Sequence, residues 1–191
     1  VTIPNGGITG LTKSSDPVPD SVLYPSATVR YFIEFEANGR DLNNVVVSDV
    51  LDERLIEPSS FTTGEIRDEE SGLTTTIVGT YDATSRRLIW NFATVPAGMK
   101  VRLEVVTAVK SDVQFVVGDV ITNTATFVAD DVPETATNTI THPLNQLDIL
   151  LSKEATPERV FVGDTLTYTL TIINPDGNIT LNELILTDNL P

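Results

Sequence analysis

The chain has 191 residues, and 27 acidic side chains outnumber 12 basic ones, which gives a formal net charge of −15 at pH 7. Such a surface repels nucleic acids and anionic membranes, because phosphate groups are bound by clustered Lys and Arg. The absence of cysteine excludes disulfide bonds and thiolate metal sites, while 40% hydrophobic residues are enough for a folded core. We therefore expect no nucleic-acid partner. We also expect no membrane insertion of this segment, because no apolar run approaches the roughly 18 residues of a membrane span.

Apolar and polar residues alternate along most of the chain, and stretches with a helical period are missing. Valine, isoleucine, threonine and aromatic residues dominate the alternating stretches, as strand packing favours. Turn residues such as Asn38-Gly39 and Pro96-Ala97-Gly98 separate them. The predicted strands are residues 28–37, 43–51, 74–82, 86–94, 100–109 and 120–129. Six or seven short strands at this spacing predict an all-β, immunoglobulin-like antiparallel β-sandwich.

The chain then repeats itself, since residues 11–51 can be laid over residues 151–190. Leu11-Thr12-Lys13 corresponds to Leu151-Ser152-Lys153, and Tyr31 corresponds to Tyr168. The match predicts a tandem repeat whose second copy holds only the first strands.

The chain divides into three segments on the basis of this repeat. Residues 1–10 are an N-terminal segment, either a linker or a donor strand. Residues 11–143 form a complete repeat domain, and residues 144–191 form a partial second repeat. The stretch THPLNQ, residues 141–146, is interpreted as the linker between the copies, so His142, the one histidine, is interpreted as a linker residue.

Three polar residues fall on the apolar faces of predicted strands. Lys13 shares its face with Leu11, Asp49 shares its face with two valines and Leu51, and Asn123 lies between Ile121 and Ala125. In the second copy Lys153 and Asp188 occupy the positions equivalent to the lysine and the aspartate. A shared apolar face predicts that all of these side chains point into a core.

A buried lysine, aspartate and asparagine permit one particular chemistry. Burial favours the neutral amine of a lysine and the protonated form of a carboxyl group. The amine of Lys13 can then attack the side-chain amide of Asn123, while Asp49 acts as the acid that polarises the amide carbonyl. Ammonia leaves, and an isopeptide cross-link remains. Two alternatives stay open: a Lys13–Asp49 ion pair with Asn123 bonded to backbone, and a Lys13 side chain that extends to the edge of the sheet.

Several stretches resemble the conserved repeat domain family, the domain-of-unknown-function family numbered eleven, which occurs in tandem in bacterial and archaeal surface proteins. They are K-x-x-x-P with GDTLTYTLTIINP and LILTDNLP, then LIWNFATVPAGMKVRLEVVTAV, and VGDVITNTATFVADD. The resemblance covers residues 11–143 and 147–191. The first copy departs from the family pattern at VLYPSATVRY and VLDERL.

This resemblance implies an immunoglobulin-like module of a stalk, coat or fibre, without enzyme activity on a separate substrate. The family is also similar to collagen-adhesin-type domains, in which a lysine, an acidic residue and an asparagine form an isopeptide bond. That likeness implies Lys13 as the amine, Asn123 as the acceptor and Asp49 as the catalytic acid.

The expected function is therefore a structural module of an extracellular surface protein that self-associates or contacts neighbouring repeats by strand complementation. The alternative is an adhesin module that binds a ligand through loops at the end of the sandwich, such as residues 52–73. Clustered carboxylates at Asp130-Asp131 and Asp68-Glu69-Glu70 suit calcium, but neither has the ligand spacing of a calcium loop. Solvated loop charge is the preferred interpretation of both, and we expect no cofactor.

Overall fold

In a computed structural model, the described residues are 7–58, 63–68, 71–112, 115–116, 118–145, 149–174 and 184–189. All of the regular elements among these residues are β-strands. The described part of the chain holds no helix long and apolar enough to cross a membrane. The chain divides into two compact units, Val1–Gln146 and Leu147–Pro191.

The first unit is an antiparallel sandwich of two five-stranded sheets and a two-stranded ribbon. Its strands are β1 (Gly7–Asp16), β2 (Thr28–Asn38), β3 (Leu42–Val50), β4 (Thr63–Arg67), β5 (Thr74–Val78), β6 (Thr80–Asp82), β7 (Arg87–Val95), β8 (Lys100–Ala108), β9 (Val120–Asn123), β10 (Ala125–Ala129), β11 (Val132–Ala136) and β12 (Ile140–Pro143). One sheet has the order β1-β2-β8-β4-β5, the other β11-β10-β3-β7-β6, and β12 pairs with β9. The predicted all-β, immunoglobulin-like sandwich is confirmed.

The core lies between the two large sheets, because alternate residues of their strands point inward. Trp90, Tyr31 and Phe127 are fully buried, and the ring of Phe127 meets Phe35 edge-on with 5.1 Å between ring centroids. Burial of each large apolar side chain contributes about 1.5–3 kcal/mol. This interior also encloses the three polar residues that the sequence places on apolar faces.

Two stretches predicted as single strands are instead two strands each. Residues 74–82 divide at Gly79, where β5 joins one sheet and β6 the other. A side chain at Gly79 would come within 2.6 Å of the indole Nε1 of Trp90, so the chain crosses between sheets where the backbone lies against that ring. Residues 120–129 divide at Thr124, where β9 leaves the ribbon and β10 enters the sheet beside β3. The inward alternation continues through Thr124, and for this reason the residue pattern does not reveal the division.

The candidate binding loop 52–73 is not a loop throughout. Residues 63–67 form β4, which pairs with both β5 and β8, and residues 59–62 and 69–70 lie outside the described residues. Residues 7–10, assigned by sequence to the N-terminal segment, form the first part of β1 and pair with β2. Residues 1–6 lie outside the described residues.

The interpretation of THPLNQ as a linker is wrong for its described part, residues 141–145. Residues 140–143 form β12 of the first unit, His142 is fully buried, and Leu144 belongs to the core. The His142 ring accepts or donates at two contacts, 3.0 Å to the Ser15 hydroxyl and 3.1 Å to the Ser21 carbonyl oxygen. A carbonyl accepts only, so Nδ1 donates to Ser21, and in the neutral imidazole Nε2 accepts from Ser15. The sequence pattern does not predict β12, because Pro143 next to His142 argues against a strand.

The second unit contains β13 (Leu150–Thr156) and β14 (Thr167–Ile173), which form an antiparallel pair. Residues 184–189, the counterpart of β3 in the repeat alignment, are described but have no assigned strand. The tandem repeat therefore stays a prediction, based on the sequence alignment and supported by the contacts described below.

Candidate cross-linking site

Lys13 is held on β1, the edge strand of its sheet. Its backbone N–H donates to Oδ1 of Asn138 and its carbonyl accepts from Nδ2 of Asn138, both at 2.8 Å. One side-chain amide thus satisfies two backbone groups that an edge strand leaves open. The Lys13 side chain is directed inward and is fully buried, so the alternative in which it extends to the edge of the sheet does not describe this structure.

Asp49 lies opposite Lys13, on the central strand β3, where it pairs with Leu88 on one side and with Ala125 on the other. Its Oδ2 is 2.5 Å from Nζ of Lys13, and both side chains are fully buried. Burial lowers the pKa of the Lys13 amine, and the charge and hydrogen bond of Asp49 oppose that shift only in part. The environment therefore favours the neutral, nucleophilic amine more than water does.

Asn123 is the last residue of β9 and is 2% exposed. Its Nδ2 donates to Oδ2 of Asp49 at 3.4 Å, a long contact, so the same carboxylate oxygen faces both the amine and the amide. Among the described residues, Oδ1 of Asn123 and Oδ1 of Asp49 are buried without a hydrogen-bond partner. The structure thus brings Lys13, Asp49 and Asn123 together. Lys13 and Asp49 form the ion pair of the first alternative, but the Asn123 side chain contacts Asp49 and not, within the described residues, the backbone.

Tyr31 is a fourth member of the site. Its ring is buried, and Nζ of Lys13 is 5.1 Å from the ring centroid. The Tyr31 hydroxyl is buried next to the Asn123 amide without a well-aligned hydrogen bond. The sequence signal for Tyr31 is its match to Tyr168 across the two copies, which supports the repeat alignment but does not indicate a role in the site.

The second unit repeats the pair. Nζ of Lys153 is 2.6 Å from Oδ1 of Asp188, and it lies 4.4 Å from the centroid of the Tyr168 ring. The strand register is also the same: Lys13 pairs with the residue two positions after Tyr31, and Lys153 with the residue two positions after Tyr168. The side chains of Lys153 and Asp188 are 37% and 28% exposed, in contrast to the fully buried first pair.

The clustered carboxylates are accounted for by side-chain partners where they are described. Asp130 accepts a hydrogen bond from Asn44, and Asp131 pairs with Arg40 at 3.1 Å. The described residues contain no group of three or more His, Cys, Asp or Glu that could hold a metal ion. Glu69 and Glu70 lie outside the described residues.

The fold is similar to that of a solved pilin subunit. Two crystal structures of BcpA, the major pilin subunit of Bacillus cereus, match with TM-scores of 0.61 and 0.57 at 15% and 16% identity, over 87% of this chain and 54% of the pilin. The chain thus spans about half the length of that pilin subunit. The collagen-binding subdomain of the Enterococcus faecalis surface protein ACE matches with a TM-score of 0.46 at 13% identity, over 72% of this chain and 97% of the subdomain.

No protein-family model matches the sequence, and no curated protein is similar to it. The resemblance to the conserved repeat domain family accordingly stays a prediction. At these sequence identities the structural matches show a similarity of fold alone. The chain has an immunoglobulin-like β-sandwich fold that it shares with a Gram-positive pilin subunit.

Proposed function

We propose that the chain is a structural module of an extracellular surface protein, a stalk, coat or fibre subunit, stabilised by an autocatalytic isopeptide bond between Lys13 and Asn123. The observation that carries this proposal is the buried contact of Asp49 Oδ2 with both the Lys13 amine and the Asn123 amide. A chain without cysteine has no disulfide to join distant strands, and this bond would tie β1 to β9 instead.

The chemistry requires no other reactant. Lys13 passes a proton to Asp49, and the neutral amine attacks Cγ of Asn123. The C–Nδ2 bond breaks while Asp49 relays one hydrogen from the attacking amine to Nδ2, which leaves as ammonia. The products are the amide, ammonia and a protonated Asp49, so charge and protons balance. Because Lys13 and Asn123 are both held against the same oxygen of Asp49, the reaction gains the effective molarity of an intramolecular step. It turns over once, and we propose no enzyme activity on a separate substrate.

Intact mass spectrometry tests the cross-link. We expect the folded wild-type chain to be lighter than its sequence mass by one ammonia, and the Asp49→Ala and Lys13→Met variants to have the full mass. A matched control is Arg30→Ala, which removes an exposed ion pair with Glu104 and leaves the site intact. If the folded wild-type chain keeps its full mass, the site is an ion pair and the cross-link does not form.

Assembly by strand complementation is the second part of the proposal. In the first unit the face of β3 that carries Val45 and Val47 is fully buried, whereas Leu184 and Leu186 on the aligned face of the second unit are 51% and 45% exposed. Strands from a neighbouring repeat or a neighbouring copy of the chain would cover these apolar side chains.

Analytical ultracentrifugation tests this assembly. We expect the chain to associate as its concentration rises, and Leu186→Glu to weaken the association. The matched control is Val50→Glu, because Val50 is similarly exposed, at 46%, but lies on the outer face of β3 in the first unit. A chain that stays monomeric at all concentrations contradicts strand complementation and leaves the cross-link proposal unaffected.

A further inference from the structure

In the described part of the chain, three buried polar atoms without a hydrogen-bond partner belong to residues of the candidate cross-linking site: Oδ1 of Asp49, Oδ1 of Asn123 and the hydroxyl of Tyr31. Each unpaired buried group costs about 1–3 kcal/mol, and native proteins keep few of them. A tyrosine is therefore a poor choice for packing at this position, because a phenylalanine fills the same space without burying a hydroxyl. We therefore expect the Tyr31 hydroxyl itself to have a role.

The Tyr31 hydroxyl keeps its proton. Burial raises the pKa of Tyr31 most, and the charges of Asp49 and Asp52 raise it further, while the neighbouring Asn123 amide opposes the shift. The Nδ2 side of the same amide faces Oδ2 of Asp49. Tyr31 and Asp49 thus both lie beside the amide, and the hydroxyl is available as a hydrogen-bond donor.

We propose that Tyr31 is a catalytic residue of the cross-linking reaction, whose hydroxyl donates a hydrogen bond to the Asn123 carbonyl oxygen as negative charge develops there. The inference rests on the proposed function. While Asp49 is ionised, the amide presents Nδ2 to it. Once Asp49 has taken the Lys13 proton, the protonated carboxyl and the Tyr31 hydroxyl are both donors. A half-turn of the amide about its Cβ–Cγ bond then places Oδ1 between them.

Two donors then stabilise the oxygen during attack by Nζ of Lys13 on Cγ, in the manner of an oxyanion hole. Tyr31 keeps its proton throughout, so the balance of the reaction is unchanged: the Cγ–Nδ2 bond breaks, the Cγ–Nζ bond forms, and ammonia leaves. The second unit has Tyr168 at the equivalent position, with its ring over Lys153 at 4.4 Å. The tyrosine therefore recurs with the lysine and the aspartate.

The test is the rate of ammonia loss in Tyr31→Phe, followed by intact mass spectrometry after cell-free synthesis. We expect the rate to fall roughly 100-fold, the scale found when one oxyanion-hole donor is removed. Tyr81→Phe is the matched control, because the Tyr81 hydroxyl is also buried and unpaired but belongs to β6, outside the site. It should react at the wild-type rate.

The outcomes separate the two proposals. A wild-type chain that never loses ammonia contradicts the proposed function. A wild-type chain that reacts together with a Tyr31→Phe variant that reacts equally fast contradicts the role of Tyr31 alone. The fold of the variant is monitored by the fluorescence of Trp90, the single tryptophan. A Tyr31→Phe chain that does not fold also overturns the inference, since it would give the hydroxyl a structural role.

Discussion

A cross-link between Lys13 and Asn123 would change how far the first unit extends under force. The bond joins β1 to the end of β9, so residues 14–122 would form a closed loop that tension along the chain cannot straighten. At about 3.3–3.6 Å per extended residue, the roughly 110 residues of this loop correspond to about 360–400 Å of contour length. A wild-type unit stretched from its two ends should unfold with an increment shorter by that amount than an uncross-linked unit.

The double variant Lys13→Met, Asp49→Leu tests this expectation, because it removes the amine and the acid without leaving a buried, unpaired charge. Single-molecule force spectroscopy should give the full increment for this variant and the short increment for the wild type. Arg30→Ala, which alters an exposed pair, should behave as the wild type does. Equal increments in the wild type and the double variant would refute the assignment of the covalent tie to these two strands.

Three further predictions concern the residues around the site. Gly79→Ala should lower the free energy of unfolding, measured by chemical denaturation, by about 1–3 kcal/mol, because its Cβ would meet the buried Trp90 ring. An unchanged free energy of unfolding would contradict the close approach of the Gly79 backbone to that ring. Burial alone would raise the pKa of Asp52, but hydrogen bonds from Arg54 and the nearby arginine charges outweigh it and hold the pKa below 3.8. The stabilisation of the folded state by ionised Asp52 is present above about pH 4 and is lost as pH falls through the lowered pKa. Arg54→Met should therefore lower the free energy of unfolding by roughly 1–3 kcal/mol at pH 7 and by progressively less in acid. A loss that is constant down to about pH 2 would contradict the pairing. Asn138→Leu should speed amide hydrogen exchange in β1, since it removes both hydrogen bonds at 2.8 Å that hold the strand edge; unchanged exchange would show that the edge needs no such support.

The sequence predicts the sandwich and most of its strands because one face of each strand is buried and the alternation is regular. It fails where the chain changes sheets. The inward positions continue through Ile77, Gly79 and Tyr81 and through residues 121–129, yet Gly79 and Thr124 each mark a crossing. Alternation reports which way a side chain points and not which strand lies beside it. The strand β11 was missed for another reason, since Pro133 argues against a strand, but β11 is an edge strand and tolerates proline.

The prediction of the candidate site rests on the same alternation of inward and outward side chains. Parity placed Lys13, Asp49 and Asn123 on buried faces, and the structure brings their side chains into one cluster. The sequence pattern does not predict the two residues that support the site, Asn138 and Tyr31. Asn138 lies 125 positions from the Lys13 backbone that it holds, and an exposed-looking asparagine in a polar stretch gives no sign of that contact. Tyr31 looked like an ordinary core aromatic residue, because an unpaired hydroxyl is visible only in three dimensions.

The most direct test of the cross-link is a peptide map of the folded wild-type chain by tandem mass spectrometry. We expect one branched peptide in which the Lys13 side chain is joined to the Asn123 side chain, lighter than the two separate peptides by one ammonia. The branched peptide should be absent from Asp49→Ala. Linear peptides carrying an unmodified Lys13 and an unmodified Asn123, recovered in full from the folded wild-type protein, would contradict the cross-link.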